Sequence, residues 1–385
     1  MAESGSDCAT LPKEERLAWL RLARSENVGP VTFTKLLARF GTASRALEQL
    51  PQLSRNGGSS RTPRICTYEK AARELEAADR LGCRMICRCE PQYPAALRAA
   101  DGAPPVLTVK GSDTALAKPF VAIVGSRNAS AVGTRIARTL SADVGRSDYG
   151  IVSGLARGID AAAHEAAIET GTIAVMAGGL DRPYPPQNIA LLEDICASES
   201  GAAVSEMPLG WEPRARDFPR RNRIIAGIAL GLVVVEAAKK SGSLISARLA
   251  GELGRLVFAV PGSPLDPRAR GTNDLIKDGA ILTTTAEDVL TALAPMSGKP
   301  ARSQGELFPV EVQEIATEDR ADPTTAERSQ VTEALGPAPV AIDEIVRHTG
   351  LLPAQIYVVL LELDLAGRLA RHPGGLVSLL PGSAR

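Results

Sequence analysis

From residue 119 onward the chain alternates between short apolar runs and helically spaced stretches, and this alternation constrains the fold more than any other feature. The apolar runs fall at residues 120–124, 150–153, 172–177, 202–206, 231–236 and 256–260. Gly171, Gly201 and Gly254 stand where the intervening helices should end, at the position that favours a left-handed residue. Strands that are apolar throughout, separated by helices, predict an α/β fold with a doubly wound parallel sheet. On such a sheet ligands bind at the carboxyl ends of the strands.

The residues just past each strand are therefore the candidate site. After the first come Gly125, Ser126 and Arg127, with Ser130 placed to cap the next helix. The stretch lacks both the G-x-G-x-x-G fingerprint and a Walker loop, and has an arginine in the turn instead. The second strand ends in SGLARGIDAAAH, with Ser153, Gly154, Arg157 and Gly158 before a helix. Gly178 and Gly179 follow the third. Beyond the fourth, five arginines (Arg214, Arg216, Arg220, Arg221, Arg223) lie within ten residues against a single acid, Asp217. The fifth gives Lys239, Lys240, Ser241, Gly242 and Ser243.

Guanidinium forks hold phosphate oxygens bidentately, and helix N-termini after strands one, two and five would add amide donors and positive dipole ends. Taken singly, a glycine turn is only a tight connection and an arginine run only a solvated face. Glycine turns, arginines and hydroxyls at successive strand ends converge in this fold and predict a phosphate-rich ligand. The number of arginines suggests several phosphates, hence a nucleic-acid strand. Aromatic residues make up only 3% of the chain. Trp211 and Phe218 flank the arginine run and would either stack on bases or belong to the core.

Little points to catalysis. His164 follows Asp160 by four residues on one helix face and reads as a buried or capping histidine. His348 and His372 lie near the C-terminus. Glu206 and Glu236 end two strands, where a base could sit, but no nucleophile pairs with either. Cys83, Cys87 and Cys89 bunch together without a second pair at zinc spacing. The residues argue for a binder without cofactor or metal. Whole-chain charge steers nothing, since 44 Lys and Arg balance 44 Asp and Glu. No secretory apolar segment and no run of ~18 apolar residues is seen, so the expectation is a cytoplasmic protein that does not enter a membrane.

Around this sheet the chain divides into residues 1–75, 76–295, 296–325 and 326–385. The first segment is helical, and its Asn27-Val28-Gly29-Pro30 turn fits either a helix-hairpin-helix that approaches DNA phosphate or a plain helical hairpin. Residues 296–325 are rich in Pro, Ser and Glu and read as a linker. The last segment reads as helix, turn, helix and β wing, a winged-helix pattern. It carries five Arg and no Lys against six acids, which favours a protein-facing or regulatory module over a second DNA site.

The ordered motifs VAIVGSR, SGLARGIDAAAHEAA, AGGLDRPYPPQN, SEMPLG, FPRRNRIIAG, SGSLISARLA and AVPGSPLDPRARGTNDLIKDGA resemble the DNA-processing protein A (DprA/Smf) family. The resemblance is dense over residues 90–292. It implies a homodimeric, extended Rossmann-like domain that binds single-stranded DNA, protects incoming strands in natural transformation and loads the RecA recombinase, without catalysis. By motif, Gly125, Ser126, Arg127, Arg220, Asn222 and Arg223 would line the DNA site, with Lys239, Lys240, Gly242 and Ser243 extending it. The alternative is a Rossmann-like nucleotide hydrolase of the lysine-decarboxylase-like, cytokinin-activating kind. That group carries P-G-G-x-G-T-x-x-E, and neither AGGLDRPY nor EAAKKSGSLIS keeps its spacing.

Overall fold

The computed structural model describes residues 11–58, 61–296, 322–372 and 375–380. Three helices come first: α1 (Lys13–Ala23), α2 (Pro30–Phe40) and α3 (Ala43–Asn56). Then follow α4 (Tyr68–Arg80), β1 (Cys83–Cys87), α5 (Ala95–Arg98) and β2 (Val106–Gly111). The alternating region runs β3 (Phe120–Gly125), α6 (Ala131–Arg146), β4 (Gly150–Ser153), α7 (Ile159–Ala167), β5 (Thr172–Val175), α8 (Ile189–Ala197), β6 (Gly201–Ser205) and α9 (Asp217–Ile228). It continues with β7 (Ala229–Val235), α10 (Gly242–Glu252), β8 (Leu256–Ala259), α11 (Arg270–Lys277), β9 (Ile281–Leu282) and α12 (Ala286–Leu293). The C-terminal part holds α13 (Thr325–Ala334), β10 (Val340–Ala341), α14 (Ile342–Thr349), α15 (Pro353–Leu365), β11 (Leu369–Arg371) and β12 (Leu376–Leu379).

The described residues pack as two units, one of Leu11 with residues 72–296 and the other of residues 12–71 with 322–380; most of the linker expected at 296–325 lies outside the described residues. The first is built on a nine-stranded sheet of order β1-β2-β6-β5-β4-β3-β7-β8-β9. From β6 to β9 every pairing is parallel, as the apolar runs predict. The sheet is longer than its sequence signal. β1 and β2 add an antiparallel edge, and β9 adds two residues at the other edge. Cys83 and Cys87 are buried in β1, so the cysteine cluster is strand core with Cys89 just beyond it. Among the described residues no group of three or more His, Cys, Asp or Glu could hold a metal ion.

Both faces of the sheet are covered, because successive residues of β3 feed opposite cores. Val121 and Ile123 pack with α6 and α7 residues, while Ala122 and Val124 pack with those of α9 and α10. The strand order reverses at β3: the chain winds through β4, β5 and β6 on one side and β7, β8 and β9 on the other. The carboxyl ends of β3 and β7 are thus the switch point where a doubly wound sheet opens a crevice.

The second unit joins the N-terminal helices to the winged helix. Trp19 and Phe33 meet edge to face, their ring centroids 4.9 Å apart, in the core of the three-helix part. Val331, Ile345, Ile356, Leu360, Leu363 and Val377 form the core of the winged helix, with β10, β12 and β11 as its small sheet. The two parts meet along α15. Glu362, 1% exposed, takes a two-point bond from Arg328 at 2.8 and 2.9 Å and a third from Asn56 at 3.2 Å. A Cβ at Gly57 would collide with the Glu362 carbonyl, so glycine there permits the approach.

Candidate nucleic-acid interface

At the end of β3 the chain must turn in little space. A Cβ on Gly125 would collide with the Val235 carbonyl and lie 2.7 Å from Ile159, so only glycine lets β3, β7 and α7 converge. Gly158, with φ +77°, likewise faces the Ser126 carbonyl. These two turns bring the loop after β3 against the loop after β4. The loops after β5, β6 and β7 complete the crevice, a cavity of about 830 Å³.

Of the residues expected at the site, Gly125, Ser126, Arg127, Asn222, Lys240, Gly242 and Ser243 line that cavity. Gly154 and Arg157 line a shallower recess that shares Arg127, Tyr184, Phe218 and Arg221 with it. The remaining five lie elsewhere. Ser153 is buried and donates to the Ile123 carbonyl at 2.6 Å, tying β4 to β3. Gly178 is buried beneath Pro213 and Trp211, where a Cβ would lie 2.8 Å from both. Arg220 and Arg223 both form ion pairs with Glu206, Arg220 through Nε at 2.8 Å, and Arg223 also donates to the Gly102 carbonyl. Lys239 is exposed outside the cavity lining.

Helical geometry explains how the arginine run divides. Residues 220 and 223 share one face of α9, and residues 218, 221, 222 and 225 share the face toward the cavity. Arg221, only 6% exposed, belongs to the arginine run but not to the residues expected at the site, and it lines the cavity. Its guanidinium donates to the carbonyls of Gly154 (2.7 Å) and Val175, and Nε donates to Asn222 Oδ1 at 3.2 Å. Burial lowers its pKa to about 10, with the carboxylate of Asp160 acting the other way. Asp160 accepts the amides of Gly154 (3.1 Å) and Ala156 (3.4 Å), and burial raises its pKa against the pull of Arg221 and those bonds.

The aromatic question resolves differently for the two rings. Phe218 is partly exposed and lines the cavity, with Arg127 over its face at 5.4 Å and Tyr184 edge-on at 5.6 Å. Tyr184, 48% exposed, carried no signal in the sequence beyond its place after the third strand. Trp211 is committed to structure: its indole donates to Asp217 at 2.9 Å and Arg214 covers the ring at 5.2 Å.

Two helix starts expected to hold phosphate are closed by the protein's own carboxylates. Glu236 accepts the Ser130 amide at 2.9 Å and its hydroxyl, occupying the start of α6. Asp160 takes the amides of the loop before α7. The first turn of α10 differs, since Gly242 and Ser243 face the cavity and its cap is the neutral Ser241. His164 is fully buried with Nδ1 2.7 Å from the Thr172 hydroxyl. Because that hydroxyl donates to the Ile151 carbonyl, His164 is the donor in the pair. The arrangement is a cleft of cations, small hydroxyls and two accessible rings, in which no nucleophile among the described residues faces a base.

Comparison with known proteins identifies the family. The family model of DNA recombination-mediator protein A matches residues 84–294, the DprA-like N-terminal HHH domain matches 13–77 and the DprA winged helix domain 316–375. Protein Smf of Escherichia coli is 39% identical over 290 residues, 74% of this chain and 75% of that protein. Protein Smf of Synechocystis is 32% identical over 397 residues, 94% of this chain and 98% of its own. The crystal structure of DNA processing protein A from Streptococcus pneumoniae superposes with a TM-score of 0.61 at 34% identity, covering 73% of this chain and 98% of that one. A Helicobacter pylori structure, described as showing a single-stranded DNA binding mode of DNA processing protein A, gives a TM-score of 0.51 at 27% identity, covering 56% and 97%. The chain belongs to the DNA recombination-mediator protein A family.

Proposed function

We propose that the cleft at the ends of β3 and β7 binds single-stranded DNA, and that the protein is the binding and handover component of a DNA-processing pathway. The observation that carries this is the pairing of cations with open rings: Arg127, Arg221 and Lys240 stand around Phe218 and Tyr184 in one cavity. Phosphates need the first set and unpaired bases the second, whereas duplex DNA hides its base faces. The α10 N-terminus adds donors for a phosphate on the same wall.

The same reading makes the protein a binder and not a hydrolase. Glu206 is held between two arginines and Glu236 is engaged by Ser130, the cap of α6, so neither strand-end carboxylate is poised as a base. The family and the H. pylori relative support single-strand binding; delivery of the strand to the RecA recombinase and action as a homodimer extend the same proposal. Among the described residues no helix is long and apolar enough to cross a membrane.

A salt-titrated anisotropy assay with matched single-stranded and duplex oligonucleotides tests the reading. Tighter binding of the single strand, weakened in Arg127→Ala at an unchanged melting temperature, is the expected result. Equal affinity for both forms, or nucleotide turnover that vanishes in Glu206→Gln, would reject it.

A further inference from the structure

The winged helix makes an unusual use of α15, the second helix of its helix-turn-helix. In a DNA-reading motif that helix enters the major groove. Here its thirteen residues include no Lys or Arg and two acids, Glu362 and Asp364. Its inner side lies against the N-terminal helices of the same unit.

The partner surface has the opposite character. Residues 12–71 hold eleven Lys and Arg against five Glu, whereas residues 326–385 hold five Arg against six acids. One face of α2 takes the contact, because Thr32, Lys35 and Arg39 recur at helical spacing. Thr32 donates its hydroxyl to Asp364 Oδ2 at 2.9 Å. Lys35 Nζ lies 4.9 Å above the Tyr357 ring, and Arg39 pairs with Asp322. At the hairpin turn, Asn27 donates to the Leu365 carbonyl at 3.0 Å, and at the end of α3 Arg368 donates to the Gly57 carbonyl at 3.1 Å. Each cation and the hydroxyl on this face of α2 meets an acid or a ring from residues 322–380.

We propose that the winged helix is an intramolecular clasp on the basic face of α2, and that a nucleic-acid backbone competes with it for that face. A row of two cations and a hydroxyl fits the sequence-independent pattern of phosphate contacts. Asp364 and Asp322 occupy it with carboxylates instead. Closed, the clasp hides the face; open, the helical segment becomes a second DNA contact remote in sequence from the sheet cavity.

The full-length chain tests this with Asp364→Lys, which places a cation against Thr32 and Lys35. Hydrogen exchange should show α2 and α15 losing protection together by tenfold or more, with α1 and α13 still protected. In an Arg127→Ala background, which removes the proposed sheet contact, duplex affinity should rise at least threefold. The salt slope should steepen by at least one contact, ~0.9 on duplex DNA. The gain should vanish on adding Lys35→Ala and Arg39→Ala. An opened clasp with unchanged affinity and slope would overturn the proposal whether or not the sheet cavity binds single strands. If Asp364→Lys unfolds the unit, Asp364→Asn and the parent chain decide: with a duplex oligonucleotide present, protection at α2 and α15 should fall together in both, more so in the variant. Protection that does not respond to DNA would equally overturn the clasp.

Discussion

The carboxylate of Glu236 receives the Ser130 amide at 2.9 Å, so the residue after β7 braces Ser130, the N-cap of the helix that follows β3. Gly133 makes room for it, since a Cβ there would lie 2.5 Å from the carboxyl carbon. The chain holds Glu236 in the left-handed region, at φ +55°, to reach this position. Glu236→Ala should therefore lower stability by ~0.5–2 kcal/mol, since it releases the residue that caps α6. Single-strand affinity should not fall, because the lost group is an anion beside the cleft. Denaturant unfolding and anisotropy on the same preparation check the two parts; a weaker complex at unchanged stability would place Glu236 among the ligand contacts.

Arg127 and Arg223 should separate cleanly. Arg127 is exposed at the cavity and bonds to no carboxylate among the described residues, so Arg127→Ala should weaken single-strand binding by ~1–3 kcal/mol with little change in melting. Arg223 is one of two arginines on the buried Glu206, so Arg223→Ala should instead lower stability by ~1–3 kcal/mol. Thermal melts and binding curves on both variants test this; equal loss of affinity with normal melting in each would restore Arg223 to the site.

This contrast marks what the sequence can show. All six strands read from apolar runs are present, because a strand buried on both faces needs an unbroken run of Val, Ile and Ala. β1, β2 and β9 escape that test: β1 and β2 mix Cys, Arg, Thr and Lys into their runs, and β9 has two residues. Within the site, charge density located the arginine loop but not its facing. The spacing of Phe218, Arg221 and Ile225 was available as the signal that α9 turns one face to the cleft. Closure of α6 by Glu236 had no such signal, since the two residues are 106 apart in the chain. The docking of α15 on α2 was equally hidden, although the opposed charge balance of the two segments is plain in the composition.

His164 predicts a pH dependence for the sheet unit. Burial, reinforced by Arg221, lowers its pKa from 6.5 to about 3, so the folded protein leaves it neutral where the unfolded chain protonates it. The unfolded state then binds more protons between those values, and this contribution is complete above pH 6.5 and lost as pH falls toward 3. Asp160, whose pKa is raised by burial, contributes with the opposite sign, so the comparison must isolate the histidine. His164→Gln should flatten the fall of melting temperature between pH 6.5 and 4. An unchanged acid limb would mean that another group carries it.

Lys35 acts at the other end of the scale. Burial, aided by Arg371, lowers its pKa from 10.5 to about 8 despite the nearby Asp364. The folded unit therefore releases this proton before the unfolded chain does, and its stability should rise as pH climbs from 8 to 10.5. Below pH 8 the charged amine is a standing penalty, so Lys35→Met should raise the melting temperature at pH 7 and remove the alkaline gain. Melting profiles of both proteins from pH 7 to 10.5 are decisive; parallel profiles would show that the amine does not titrate in this range.

The rings and the cations of the cleft should fail in different ways. Phe218 offers a π-face and no charge, so Phe218→Ala should weaken single-strand binding by ~1–3 kcal/mol per stacked base while leaving the salt slope unchanged. It also removes the surface beneath Arg127, 5.4 Å away, so part of the loss should be shared in the double variant Arg127→Ala/Phe218→Ala. Arg127→Ala alone should reduce the slope by ~0.7, the share of one phosphate contact on a single strand. Anisotropy at four or more salt concentrations resolves the two effects. A slope that drops in Phe218→Ala as much as in Arg127→Ala would mean the ring only positions the guanidinium, and that bases do not enter the cleft.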